Sequence, residues 1–150
     1  MATAFDVAEY IIKSLPVDNL KLQKLLYYSQ AVHLVRHNGT PLFGEDIEAW
    51  DYGPVVPPVY RQYKPNGFDI LIPSSDERQT CLEPDQMRSV VMALGCFGEM
   101  SGPALINQTH RESPWKNAYR PGLPSSVITH ESIHRFFEKN LEFTEDEFET

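Results

Sequence analysis

Apolar residues recur at helical spacing at Phe5, Ala8, Ile11, Ile12 and Leu15. They predict a short amphipathic helix over residues 4–14, stopped by Pro16. Asp18 or Asn19 is placed to cap a longer helix over residues 20–37, and Asn38-Gly39 to end it, with the glycine in the left-handed position. This second segment has the most telling pattern in the chain. Advanced by about 100° per residue, Leu22, Leu25 and Leu26 point one way, while Leu20, Tyr27, Tyr28, Ala31, Leu34 and Val35 point the other. A helix that is apolar on most sides belongs in the middle of a fold. Lys24 falls inside the second apolar arc, so its ammonium is expected to meet a carboxylate or backbone carbonyls rather than bulk water.

Further along, residues 47–51 predict a short strand running into Tyr52-Gly53-Pro54. Pro57-Pro58 suits the first turn of a helix through Val59, Tyr60 and Tyr63, which Pro65-Asn66-Gly67 ends. Residues 68–72 are expected to pair with the earlier strand as a small hairpin or ribbon, and residues 74–83 to be a polar loop. Pro84 opens another helix, with Met87, Val90, Val91, Leu94 and Phe97 or Gly98 as its core stripe and Cys96 as a small packing residue. Gly95, Gly98, Ser101 and Gly102 would let a second backbone approach its end. Residues 103–108 predict a further short helix, Ser113 caps one more turn carrying Trp115, and residues 121–124 read as loop. Thr129 caps a last helix with Ile133, Phe136, Phe137 and Leu141 on one face. The expected fold class is mainly α. Five to seven helices form a compact bundle around a central buried one, with at most a small sheet from the Ile47 and Phe68 regions.

With 150 residues the chain is of single-domain size. Its net charge of -8 is uneven, because residues 142–150 hold five acidic side chains and no basic ones. We therefore expect one helical domain over residues 1–141 and a solvated acidic tail after it. The acidic balance argues against direct nucleic-acid binding, which needs a basic face to displace counterions, and against an anionic membrane. Two cysteines exclude a disulfide scaffold and a four-thiolate zinc site. No apolar run approaches the roughly 20 residues of a membrane span. The first ten residues lack the basic and apolar regions of a signal peptide. A cytoplasmic protein with reduced thiols is expected.

Candidate chemistry is sparse. His33/His37 and His130/His134 are spaced i,i+4, which puts both rings of a pair on one helix face, as metal ligands require. Neither pair has the intervening glutamate of a metalloprotease helix or a carboxylate-rich companion nearby, so they read as surface or capping histidines and no metal or other cofactor is expected. No nucleophile elbow, phosphate-binding glycine loop or dinucleotide fingerprint occurs, and nothing near Cys81 would lower its pKa. No catalytic residue is therefore assigned. The reading from another class is a small metal-dependent hydrolase using the paired histidines. Two clusters are unusual: Glu48-Ala-Trp50-Asp-Tyr52-Gly53-Pro54 and Asn107-Gln-Thr109-His110-Arg111-Glu-Ser-Pro-Trp115. Each sets an aromatic ring beside polar groups in a turn between helices. They are either core anchors, with Thr109 and His110 bonding orphan helix carbonyls, or a recognition surface. In both readings they are expected to pack against each other, so that Trp50, Tyr52, His110 and Trp115 line one region.

Three blocks in order carry a resemblance: Lys21-Leu-Gln-Lys24-Leu-Leu-Tyr-Tyr28, then Ile47-Glu-Ala-Trp50-Asp-Tyr52-Gly53-Pro54-Val-Val-Pro57, then Thr109-His110-Arg111-Glu-Ser-Pro-Trp115. Together they resemble the signature of the Panacea domain, the family of SocA-like antitoxins and phage-associated GepA proteins. The resemblance implies a mainly helical, non-enzymatic antitoxin that binds and neutralises a toxin encoded beside it. For members of the SocA type it also implies an adaptor that delivers the toxin to the ClpXP protease. On that reading the candidate contacts with a cognate toxin are Trp50, Tyr52, Gly53, Pro54, Tyr60, Arg61, Tyr63, Thr109, His110, Arg111 and Trp115, with Lys24 as a structural polar group.

Overall fold

A computed structural model describes residues 1–73, 81–123 and 125–141. The first helix, α1 (Ala4–Ser14), begins at a capping box in which Thr3 and Asp6 each take the other's backbone N–H. The second, α2 (Asn19–Arg36), is capped by the Asp18 carboxylate accepting from Lys21 N–H. It ends where Asn38 and Gly39 take positive φ of 51° and 103° and Gly39 N–H reaches back to the Leu34 carbonyl. Every residue from Leu22 to Leu34 is buried, so α2 is the axis of the fold.

Six elements pack on that axis. They are α1, strand β2 (Gly53–Val55), α3 (Pro57–Tyr63), α4 (Pro84–Phe97), α5 (Gly102–His110) and α7 (His130–Asn140). Between them lie a single 3-10 turn over Lys64–Asn66 and α6 (Ser113–Ala118). Seven α-helices thus occur among the described residues, as the periodicity predicts. No single helix among those residues is long and apolar enough to cross a membrane.

The small sheet is real but has other partners. β1 (Ile47–Trp50) is its centre, antiparallel to β2 on one side and to β3 (Val127–Ile128) on the other. Trp50 pairs with Gly53 across the two-residue turn Asp51-Tyr52, so the chain reverses at once and leaves no place for residues 68–72. That expected strand does not form. Leu71 instead turns in to donate its N–H to the Val17 carbonyl at 2.8 Å, while Phe68, Ile70 and Ile72 stand exposed.

Several finer expectations also fail. α4 turns Ser89, Val90, Met92 and Ala93 inward and leaves Val91 exposed, because α2 crosses it on a stripe shifted by one residue. Cys96 is exposed rather than packed, and so is Phe5 on α1. Gly95 is exposed and a Cβ at Gly102 would meet nothing within 4 Å, so neither admits a second backbone. Ser113 is the first residue of α6, not its cap. Glu112 holds the cap position and makes no side-chain capping bond, because its carboxylate points into the core. The loop expected over residues 74–83 lies outside the described residues up to position 80, as do Pro124 of the 121–124 loop and the acidic tail at 142–150.

Candidate functional site

The three sequence blocks meet around α2. Lys24 is fully buried, and its ammonium donates to the Pro54 carbonyl at 3.0 Å. The expected pairing is therefore with backbone. Burial pulls the Lys24 pKa down to about 7, and the Asp18 carboxylate only partly opposes this. Gly53 lies over the lysine stem with φ of 105°. A Cβ there would sit 2.7 Å from Lys24 Cε and 2.9 Å from Thr109 Oγ1, so glycine is required both by the turn and by the close approach. Thr109 is buried and donates its hydroxyl back to the Ile106 carbonyl at 2.9 Å, a carbonyl inside α5 and not one of the orphan carbonyls at its end. Lys24, Gly53-Pro54 and Thr109 thus bring one residue or pair from each block into one buried contact.

A second link joins the first and third blocks. The hydroxyls of Tyr27 and Tyr28 donate to Oε1 and Oε2 of Glu112 at 3.1 and 3.0 Å, and Gln108 Nε2 donates to Oε2 at 3.3 Å. Burial raises the Glu112 pKa to about 7, against the pull of these three donors. The same burial, with the Glu112 charge, drives the tyrosine hydroxyls well above their ordinary range. Sequence reasoning left Glu112 off the candidate residues. The sequence hid it, because Lys116 four residues on reads as a surface partner for it, whereas its actual partners lie across the core on α2. Gln23 and Gln30 were missed in the same way. Gln23 Oε1 accepts from Val56 N–H at 2.9 Å, and Gln30 Oε1 accepts from Leu42 N–H at 2.6 Å. In this way α2 holds the loops on both sides with its own buried amides.

Above the buried contact lies an aromatic face. Trp115 Nε1 donates to the Trp50 carbonyl at 2.8 Å, and the Trp115 ring stacks between His110 at 4.0 Å and Tyr119 at 4.5 Å. Trp50 meets Tyr60 edge to face at 5.0 Å. The expected meeting of the two turn clusters therefore occurs. His110 stacks and bonds to the backbone of Asp51 in the hairpin turn rather than to a helix carbonyl, and burial lowers its pKa against that bond. Tyr52, at the hairpin tip, is 66% exposed. Tyr52 and Tyr60, with Leu20, wall two adjoining hollows of about 240 and 500 Å³, the larger reaching Phe68 and Ile106.

The candidate contact residues divide by burial. Gly53, Pro54 and Thr109 are buried, and Trp50, Tyr60, Tyr63, His110 and Trp115 are half-buried. Tyr52, Arg61 and Arg111 are exposed. Tyr63 is tied inward by its hydroxyl, which donates to Glu9 on α1 at 3.2 Å. Of the histidine pairs, His130 Nε2 lies 3.3 Å from Gln30 Nε2, and His33 and His37 lie ring to ring at 4.3 Å.

The sequence has relatives. The family described as Antitoxin SocA-like, Panacea domain, matches residues 22–116, a span that runs from α2 to α6 and holds Lys24, Gly53, Thr109 and Glu112. Antitoxin SocA of Caulobacter vibrioides (strain NA1000 / CB15N) is 32% identical over 112 residues, covering 67% of this chain and 59% of that protein. No solved structure matches the chain. With the family match covering most of the chain and the signature residues meeting in one buried contact, the chain belongs to the SocA-like antitoxins of the Panacea-domain family.

Proposed function

We propose that the chain neutralises a cognate toxin protein by binding it directly, and that the aromatic face around Tyr52 and Tyr60 makes the contact. The observation that carries this is the exposure of Tyr52 beside two adjoining apolar hollows, with the exposed side chain of Phe68 at their edge. Large apolar side chains standing clear of a surface mark contact sites, and interface energy concentrates in a few aromatic and arginine anchors. The exposed Arg61 lies on α3 beside Tyr60 and adds such an anchor. Belonging to an antitoxin family supports the class of partner, and the net charge of -8 favours a basic toxin whose association slows as salt rises. The buried contact beneath plays a different part, in which Lys24, Gly53, Thr109 and Glu112 hold the hairpin and α5 in register under that face.

Inhibition by occupancy depends on affinity and has no turnover. Protection of cells or of a purified target should therefore saturate near one antitoxin per toxin. Tyr52→Ala and Arg61→Ala should each weaken toxin binding by at least about 30-fold, the loss expected of an interface anchor. Both should leave the melting temperature unchanged, because neither side chain is buried. Co-purification with the product of the neighbouring gene measures the first, and thermal denaturation the second. A purified assay also separates blocking from delivery. Protection without protease is direct occupancy, whereas toxin loss only with ClpXP and ATP is the adaptor role seen as an extension of the same binding. Strongly substoichiometric protection without protease would reveal catalysis and end the proposal.

A further inference from the structure

We propose that His33, His37 and Asp85 form a binding site for a divalent transition-metal ion of the zinc type, clamping the end of α2 to the start of α4. The site is separate from the aromatic face and does not depend on the toxin-binding reading. One ligand atom from each of the three side chains lies within 4.8 Å of the other two. Ligands held at about 2.0–2.2 Å from a tetrahedral ion lie roughly 3.3–3.6 Å apart, so the widest separation would close by up to about 1 Å while the His37–Asp85 pair, at 2.7 Å, would open. The Asp85 side chain is 49% exposed at the first turn of α4 and would make that movement together with the Arg36 guanidinium bonded to it. Two imidazoles and one carboxylate are the donor set of a borderline ion such as zinc, and three protein ligands leave a fourth position open.

Two further observations point to a ligand. His37 Nε2 is shut off from solvent and faces Asp85 Oδ2 at 2.7 Å, its charge partner, without well-aligned hydrogen-bond geometry. An ion held by both would have to open this pair from 2.7 Å to the roughly 3.3–3.6 Å that separates two ligands of one tetrahedral ion. The outer shell is also in place. Ser89 Oγ lies 2.7 Å from His33 Nδ1 and holds that ring in place. Arg36 Nη2 donates to Asp85 Oδ1 at 2.7 Å, and Arg36 Nη1 donates to Ser89 Oγ at 2.6 Å. These bonds fix the carboxylate so that Oδ2 faces the histidines. The guanidinium charge also lowers the affinity, so a dissociation constant on the order of micromolar is expected rather than the far tighter values of all-thiolate sites.

The test uses the full chain without a histidine tag, stripped with EDTA and titrated with zinc chloride and, separately, cobalt chloride. The expected result is one equivalent bound, a cobalt visible spectrum of low-coordinate form, and a melting temperature raised by on the order of 5–10 °C at zinc near one hundred times the dissociation constant. His37→Ala and Asp85→Asn should each weaken binding at least tenfold. His134→Ala, in the other histidine pair, should bind as the parent does. The metal-induced shift is read within each variant, so any loss of intrinsic stability does not confuse it. No shift in the parent at about 1 mM zinc, or equal binding by the parent and both cluster variants, overturns the proposal.

Discussion

Gly53→Ala is expected to destabilise the protein by about 2–4 kcal/mol, through backbone strain and overpacking together. The added methyl would lie 2.7 Å from Lys24 Cε and 2.9 Å from Thr109 Oγ1, on a residue whose φ is 105°. Lys24 cannot step aside. It is fully buried and held by its bond to the Pro54 carbonyl, the residue next to the substitution. For a chain of this size the loss corresponds to a fall in melting temperature on the order of 10 °C. Gly67→Ala is the control, because Gly67 also has positive φ, 58°, but a Cβ there meets nothing within 4 Å. The difference between the two variants isolates the packing against Lys24 and Thr109 from the strain of the turn. Equal losses would mean that the meeting of the three blocks contributes nothing at this point.

Much of this was legible from the sequence because helices announce themselves locally. The near-complete apolar coverage of residues 20–37 identified α2 as the axis, and its caps at Asp18 and Gly39 lie where the residue types place them. The position of Lys24 on that wheel was enough to forecast a buried ammonium bonded to protein. Strand pairing was less legible, since a partner is set by the turn between strands and not by either strand alone. Asp51-Tyr52 forms a two-residue reversal, so β1 took β2, a segment too short and too proline-rich to read as a strand, and passed over the apolar residues 68–72. Burial within α4 was misjudged by one residue because its stripe is decided by how α2 crosses it. For the site, the sequence named the aromatic clusters and their meeting but mixed holders of the fold with candidates for contact. Gly53, Pro54 and Thr109 are buried, and only the structure separates them from Tyr52, Arg61 and Arg111. Glu112, Gln23 and Gln30 escaped because a buried polar side chain is recognised by the partner across the core, which a linear pattern does not display.

The pH dependence of stability should resolve the two buried ionisable groups, with opposite signs. Glu112 has its pKa raised from 4.5 to about 7 by burial, so the folded state binds more protons than the unfolded state between those values. Its contribution is fully present below pH 4.5 and is lost as pH rises through 7, a change on the order of 3 kcal/mol. Lys24 has its pKa lowered from 10.5 to about 7, so the unfolded state binds more protons between those values. Its burial penalty is full below pH 7 and vanishes by pH 10.5, a change on the order of 5 kcal/mol in the rising direction. His33, lowered to about 4 by burial first and by His37 second, tilts the acid side upward and partly hides the Glu112 limb in the parent protein. Differences between variants remove that overlap. Glu112→Gln should gain on the parent steadily from pH 4.5 to 7 and hold a constant difference above, while its amide still accepts from one tyrosine hydroxyl. Lys24→Met, which exchanges a costly buried charge for an apolar chain of similar length, should be at least as stable as the parent at pH 6 and lose that advantage by pH 10. Lys24→Glu should be strongly destabilising at neutral pH, since it buries a carboxylate against the Pro54 carbonyl. Urea unfolding across this range reads all three. A flat difference for Glu112→Gln would place its carboxyl in water, and matching small changes for Lys24→Met and Lys24→Glu would do the same for the lysine.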